Sequence, residues 1–420
     1  MNPIYGALLA LLALAQFSLP RRLAFLPLLL AALHLGNQEV IGNLTPSRIL
    51  IGLGILRLLL SGDRRILIPR NYVDLAFIAF SFIAVLTSFA HPSTESSTPL
   101  TYRLGLIWNA HGTYLYGKGY LPTLTDLHRF AKILPICLVP LALGLSAEKL
   151  TRYNYYSYIG ANSSHVTIRN DSARAAGPFR HPILAGTAGA TSLPLSILAL
   201  RHGTPALGWL GVLSCLAIVV SSSSSGPLAA CGITLLALAT WRHPKLLKIG
   251  AILGLTLAAI FPVISSQNRG PWYLLNYIDL TGGSTGWHRA HLIDRGLAHL
   301  GEWWLVGTDY TRHWMPTGVS WSPDHTDLTN YYLHLGVIGG LWLPLILVSQ
   351  IYVAIRNAIH RASIIRHHNL PDAFAKWMLA ATLSAHAVSF ISVSYFDQMF
   401  VLFFIILGHS SRLLTQEMDK

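Results

Sequence analysis

The chain has 420 residues, 52% of them hydrophobic and 11% charged, with a mean hydropathy of +0.48 and a formal net charge of +13. Soluble domains carry about 25% charged residues, so this composition excludes a soluble globular protein and predicts an all-α integral membrane protein. The basic balance does not call for nucleic acid. Lys and Arg fall in short loops between apolar runs, where membrane topology and anionic lipid account for them.

In chain order, apolar runs fall near 3–19, 23–36, 46–61, 74–90, 104–121, 130–146, 182–200, 206–222, 226–241, 246–265, 331–355, 373–394 and 397–411. A membrane helix needs about 17–25 such residues. The pattern therefore predicts a polytopic membrane helix bundle of 12–13 transmembrane helices, with the lipid bilayer as its first partner. Met1 to Leu19 carries no basic leader and no small-residue cleavage site, and reads as a first span. Cys137, Cys215 and Cys231 all lie in apolar runs, which predicts core residues and no disulfide.

Basic loops set the expected orientation. The Arg356–Lys376 loop and the loop of Arg242, Lys245 and Lys248 belong in the cytoplasm. Counting one span from either puts residues 266–330 outside. The expected organisation is an N-terminal helical array over 1–265, a large external loop over 266–330 and a C-terminal array over 331–420. A second external segment lies near 147–181. An external N-terminus follows if 104–121 spans. The Ser221–Ser225 run reads as a flexible helix connection on the external side.

The long polar stretch, Ser266 to Asn330, holds six of the eleven tryptophans (Trp272, Trp287, Trp303, Trp304, Trp314 and Trp321) together with several arginines and histidines. Aromatic rings, imidazoles and guanidinium groups together suit a carbohydrate carried on a phosphate, although interfacial anchoring accounts for most of the tryptophans. His325, flanked by Asp324 and Asp327 just ahead of a span, is the candidate general base, with Asp327 to orient it. Arg289 follows Gly282-Gly283-Ser284-Thr285-Gly286 and opens a surface helix over about 288–300. A guanidinium suits a diphosphate because it stays charged and donates two parallel hydrogen bonds.

Arg180 in Phe179-Arg180-His181-Pro182 is a second cationic candidate, weighed against a snorkelling arginine. Arg174, His181, His288, Arg295 and Asn330 complete the expected substrate-binding set, Arg295 being weighed against an ion pair with Asp294 or Glu302. His288, His291 and His313 are candidate metal ligands by residue type, but there is no His-Glu-x-x-His and no Asp-x-Asp pair, so no metal is expected. No Gly-rich phosphate loop followed by Lys and Ser/Thr is present, so neither ATP nor another cofactor is expected. Gly336, Gly339 and Gly340 read as helix-packing positions.

His325-Thr326, nine residues, then Gly336-Val337-Ile338-Gly339 closes the polar stretch. In this it resembles the bacterial O-antigen ligase and O-antigen/exopolysaccharide polymerase superfamily of integral membrane proteins. In that family, His with Asn, Ser or Gln is followed by nine residues and Gly-x-x-Gly at the end of a large periplasmic loop. Thr326 is a departure. Arg289 through Trp303-Trp304-Leu305-Val306-Gly307 is similar to a second family pattern, with Trp304 where proline is usual. Gly177-Pro178-Phe179-Arg180-His181-Pro182 looks like the segment opening a middle span. Ser224-Ser225-Gly226 stands where the family often has Ser-Arg-Gly, so Arg180 or Arg174 would supply that cation.

The resemblance covers about residues 170–345. It implies an inverting glycosyltransferase of the inner membrane, independent of metal and nucleotide, with its active site on the periplasmic side. The donor would be an undecaprenyl-diphosphate-linked glycan, and the acceptor another glycan or a glycolipid such as lipid A-core. A chain-length regulator protein is a further implied partner. The polymerase is the favoured reading and the ligase its alternative. A lipid-linked glycan transporter is a third, disfavoured because ionisable residues within the spans (Arg57 and Lys118) are few.

Overall fold

The computed structural model describes residues 2–36, 38–40, 42–91, 99–265, 270–277, 286–320 and 322–418. Arg269, the Gly282–Thr285 run and Trp321 lie outside these. The chain begins with α1 (Pro3–Ser18), α2 (Leu26–His34), α3 (Pro46–Leu60) and α4 (Tyr72–Ser88). Then follow α5 (Pro99–Ile107) and α6 (Thr113–Tyr120), continuous through a π turn at Trp108–Gly112, and α7 (Leu124–Thr151). A hairpin of β1 (Thr167–Arg169) and β2 (Ser172–Arg174) precedes α8 (Pro182–His202), α9 (Pro205–Ser222), α10 (Ser225–Thr240) and α11 (Lys245–Ile264). The long loop contributes α12 (Gly286–Ala298), α13 (Leu300–Trp303) and the hairpin β3 (Gly318–Val319) with β4 (Ser322–Thr326). Helices α14 (Tyr331–Gly339), α15 (Trp342–Ile365), α16 (Leu370–Ser392) and α17 (Gln398–Met418) complete the fold.

This is an all-α polytopic membrane bundle. Among the described residues seven helices are long and apolar enough to cross a membrane: α7, α8, α9, α11, α15, α16 and α17. Helices α1, α4 and α10 are shorter apolar helices. Local chemistry starts them where the hydropathy rises. Asn71 accepts from the amides of Val73 and Asp74 to cap α4, and Thr123 and Asp126 form a capping box on α7. Helices α8 and α17 are the most enclosed of the seven, each with 89% of its spanning window buried. A Cβ on Gly186 would lie 2.3 Å from Ser222 Oγ, and one on Gly189 2.9 Å from the Cys215 carbonyl oxygen, so the small residues of α8 set its close approach to α9. Helix α11 has no buried residue in its spanning window. The three cysteines are free and buried.

Two expected spans differ from their helices. The 23–36 run forms a helix of only nine residues, about 14 Å long at 1.5 Å per residue, well short of a bilayer core of about 30 Å. Gln16 and Tyr116 explain the shortening, since both bond the Ala24 carbonyl and hold the approach to α2 in irregular backbone. The 331–355 run is two helices broken at Gly340, which has φ +79° and ψ 177°. A Cβ there would stand 2.4 Å from the Leu305 carbonyl oxygen. The Trp304 carbonyl accepts from Leu341 N at 2.9 Å, and the Leu305 carbonyl from Trp342 Nε1 at 3.1 Å. The break is thus the seat on which the long loop docks. Gly340→Ala places a side chain in a region that only glycine occupies at ease, with an expected cost of about 1–3 kcal/mol before the clash is counted. Thermal unfolding of the purified variant reads it, and an unchanged midpoint would contradict the docking role.

The bundle has two ends. At one, Asn2 Nδ2 donates to the Tyr158 carbonyl, Gln398 Nε2 to the Pro178 carbonyl, and His91 Nδ1 lies 2.8 Å from Asp309 Oδ2. This loop face gathers the start of α1, the 147–181 segment and the long loop. At the other, Arg21 pairs with Asp63, His128 lies 3.3 Å from Asp372, and Arg366 Nη1 donates to the Trp241 carbonyl.

Candidate functional site

The expected residues separate into two neighbouring surroundings on the loop face. The first is cationic. Asn170 and Asp171, both at positive φ (49° and 55°), make the tight turn of the β1–β2 hairpin. Its register pairs Thr167 with Arg174 and Arg169 with Ser172, which puts both arginines on one face. Arg174 is buried, with 9% relative exposure, and its Nη2 donates to Ser224 Oγ at 2.8 Å. Among the described residues its Nε is buried without a hydrogen-bond partner. The serine run is therefore more than a flexible connection. Ser223 Oγ also meets Lys149 Nζ, and both hydroxyls anchor cations.

Arg289, half-buried on α12, joins this group, its Nε donating to the Ser392 carbonyl at 3.2 Å. Burial pulls its pKa down to about 10, and the like charges of Arg169 and Arg174 act in the same direction. It remains charged at neutral pH. His181 caps α8, its Nδ1 accepting from Ile183 N. Loss of solvent around the ring, then the charges of Arg174 and Arg289, pull its pKa down to about 4. The ring is thus neutral beside two guanidinium groups. A cavity of about 340 Å³ opens against Lys149, Arg169 and Arg174 on one side and Val219 and Val220 of α9 with Leu228 of α10 on the other. Cations meet an apolar wall there, at the end of the bundle.

The second surrounding holds His325 on β4. Its Nδ1 lies 2.7 Å from Ser322 Oγ. Burial lowers its pKa, and the charges of Asp324 and Asp309 partly offset that, so the imidazole is neutral at pH 7. Asp327, expected to orient the ring, is exposed and is not among these influences. Its amide bonds the Thr317 carbonyl. Ser322, three residues back on the same strand, holds the described contact at the ring nitrogen.

A turn that sequence reasoning missed joins the two surroundings. Residues 391–397, from the end of α16 to the start of α17, offer the Ser392 carbonyl to Arg289 and the Ile391 carbonyl to Asn330 Nδ2 at 3.3 Å, and Ser394 Oγ donates to the Leu328 carbonyl at 2.6 Å. Asp397, at φ 51°, pairs with Arg180 Nε at 2.7 Å. Nothing in the local pattern marks this segment, whose partners lie more than fifty residues away.

Other expected residues have structural duties. Arg180 is turned to Asp397, with 62% of its side chain exposed. Asn330 is buried and uses both ends of its amide, capping α14 through Leu333 N and tying to Ile391. Arg295, exposed, lies 3.5 Å from His291 and not against Asp294 or Glu302. Six residues, about 600° of helical rotation, turn it away from the direction of Arg289. His288 is half-buried, and among the described residues its Nε2 has no hydrogen-bond partner. Trp303 and Trp314 are not interfacial anchors. With Leu292, Met315, Leu333 and Val337 they form a small core under the loop, and a Cβ on Gly336 would strike the Trp303 ring at 2.4 Å.

Glu148 is a further residue that reasoning missed. Its carboxylate accepts the amides of Ala176 and Gly177 at 2.9 and 2.8 Å, which holds the turn leading to Arg180 and His181. The signal was an acidic residue at the end of an apolar run.

These features define a multi-pass membrane protein with a cationic recess and a neutral imidazole on one face. In comparisons with known proteins, no family model and no curated relative matches the chain.

Proposed function

We propose that the chain is a membrane glycosyltransferase that polymerises glycan from an undecaprenyl-diphosphate-linked donor, as its resemblance to the O-antigen ligase and polymerase superfamily implies. It would act on the periplasmic side of the bacterial inner membrane. The observation that carries the reading is the assembly of Arg169, Arg174 and Arg289. Arg169 and Arg174 line the recess with Lys149, their charges act on Arg289 beside it, and like charges gathered in this way favour an anion. The recess has an apolar wall from α9 and α10, which suits an anion carried on a lipid tail. Arg174 at Ser224 supplies a cation at the turn where the family often has Ser-Arg-Gly.

In this reading the arginines hold the diphosphate and stabilise its charge as the glycosidic bond breaks. The acceptor hydroxyl oxygen attacks the anomeric carbon, the carbon–oxygen bond to the diphosphate breaks with inversion, and the lipid diphosphate leaves with the electron pair. His325 takes the hydroxyl proton, with Ser322 and the carboxylate of Asp324 supporting the ring. A ligase would share every step and differ in its acceptor. A transporter reading has less support, because the buried cation Lys118 is already paired with Asp74 at 2.7 Å.

The experiment is purified protein with a lipid-linked donor and acceptor glycan. A new glycosidic bond is expected, and its absence under all acceptor conditions overturns the reading. His325→Ala is expected to lower the rate by about 10²–10⁴-fold at unchanged protein level. The base works when unprotonated and its pKa is lowered, so activity should persist through pH 6.5 and fall only at lower pH. A rate that already falls above pH 7 would exclude His325 as the base.

A further inference from the structure

We propose that His299, Glu302 and His313 bind one divalent transition-metal ion of the zinc class, and that this ion clamps α12–α13 to the segment carrying β4. One nitrogen from each imidazole and a carboxylate oxygen converge, all within 4.8 Å of one another. His299 Nδ1 lies 2.8 Å from Glu302 Oε1, and His313 Nε2 lies 3.0 Å from Glu302 Oε2. A tetrahedral zinc with bonds of about 2.0–2.2 Å needs donor atoms about 3.3–3.5 Å apart, so small side-chain shifts close the set. Two imidazoles and one carboxylate select a borderline-soft ion over calcium or magnesium, which take oxygen ligands. The cluster is half open to solvent, with side-chain exposures of 26%, 40% and 35%, leaving the fourth position to water.

The surroundings hold these donors in place. Trp314 Nε1 donates to Glu302 Oε2 at 3.1 Å, orienting the carboxylate from a buried ring. The His299 ring stacks on Trp314, and His313 stacks on Tyr310 at 5.1 Å between centroids. The ligands come from two stretches, His299 with Glu302 and, eleven residues on, His313. Two residues before His313 the chain is bonded to β4: Thr311 N donates to the Asp324 carbonyl, and Thr326 N to Thr311 Oγ1. The ion would therefore join the helix bearing Arg289 to the hairpin bearing His325 and take no part in bond making. The metal site stands independently of the transfer reading.

The test uses full-length, tag-free protein in detergent, stripped with a chelator and titrated with Co²⁺. One saturable equivalent with visible ligand-field absorption is expected, displaced by Zn²⁺. His299→Ala and His313→Ala should each weaken binding at least about 100-fold, and Trp314→Phe about 10-fold. Glu302→Gln keeps the shape and should also lose the ion. The paired exposed histidines His367 and His368, at the opposite end of the bundle, are the control: replacing both should leave the stoichiometry at one. Absence of saturable binding overturns the proposal. So does binding that survives both His299→Ala and His313→Ala, or that vanishes only in the control.

Discussion

Arg289→Lys is expected to reduce glycan chain formation about 10²–10³-fold in cells that hold the variant at the wild-type level. Lysine keeps the charge but loses the fork, and Arg289 uses its geometry twice. Nε donates to the Ser392 carbonyl at 3.2 Å, and in the proposed reaction the terminal nitrogens would meet the diphosphate. A lysine ammonium cannot both hold the 391–397 turn and present two parallel donors. Arg289→Ala should cost at least as much, while Arg295→Ala on the same helix, exposed and turned aside, should leave the product near wild type. Chain-length analysis of extracted glycan against immunoblotted protein reads both. Wild-type product from Arg289→Lys would remove the diphosphate-holding role. Equal loss from Arg295→Ala would mean that the helix matters only as a scaffold.

Asp74→Asn is expected to destabilise the bundle by about 3–5 kcal/mol. Asp74 and Lys118 are 2.7 Å apart, with side chains only 5% and 1% exposed. Tyr114 Oη donates to the same carboxylate oxygen at 2.6 Å, and Arg70 N donates to the other at 2.9 Å. Ser411 and Asn71 extend the network to α17. Surface pairs contribute little because water competes for both charges. Here, removing one partner strands an ammonium group away from water. Lys118→Met combined with Asp74→Leu should recover most of the loss, since replacing both charges with apolar groups of similar volume avoids the desolvation cost. Thermal unfolding in detergent distinguishes the outcomes. A double variant no better than Asp74→Asn would mean that Tyr114 and Arg70, and not the charge pair, hold α4, α6 and α17 together.

Hydropathy alone determined that this chain is an all-α membrane bundle, because the need to satisfy every backbone group within lipid leaves a long apolar run few alternatives to helix. It also located the long polar loop and drew attention to Arg174, His181, Arg289 and His325 by residue type. Only the tertiary structure decided which of these meet. The hairpin register put Arg169 and Arg174 on one face, their charges reach Arg289, and Asp397 engaged Arg180. Asn330 became a cap, and Ser322, not Asp327, came to lie against the imidazole. The break at Gly340 and the shortness of α2 were equally hidden, since each depends on a partner elsewhere, the Leu305 carbonyl in one case and Gln16 with Tyr116 in the other. Helix formation is governed by neighbours within a few residues, whereas a site is built by side chains whose separation along the chain carries no periodic signal.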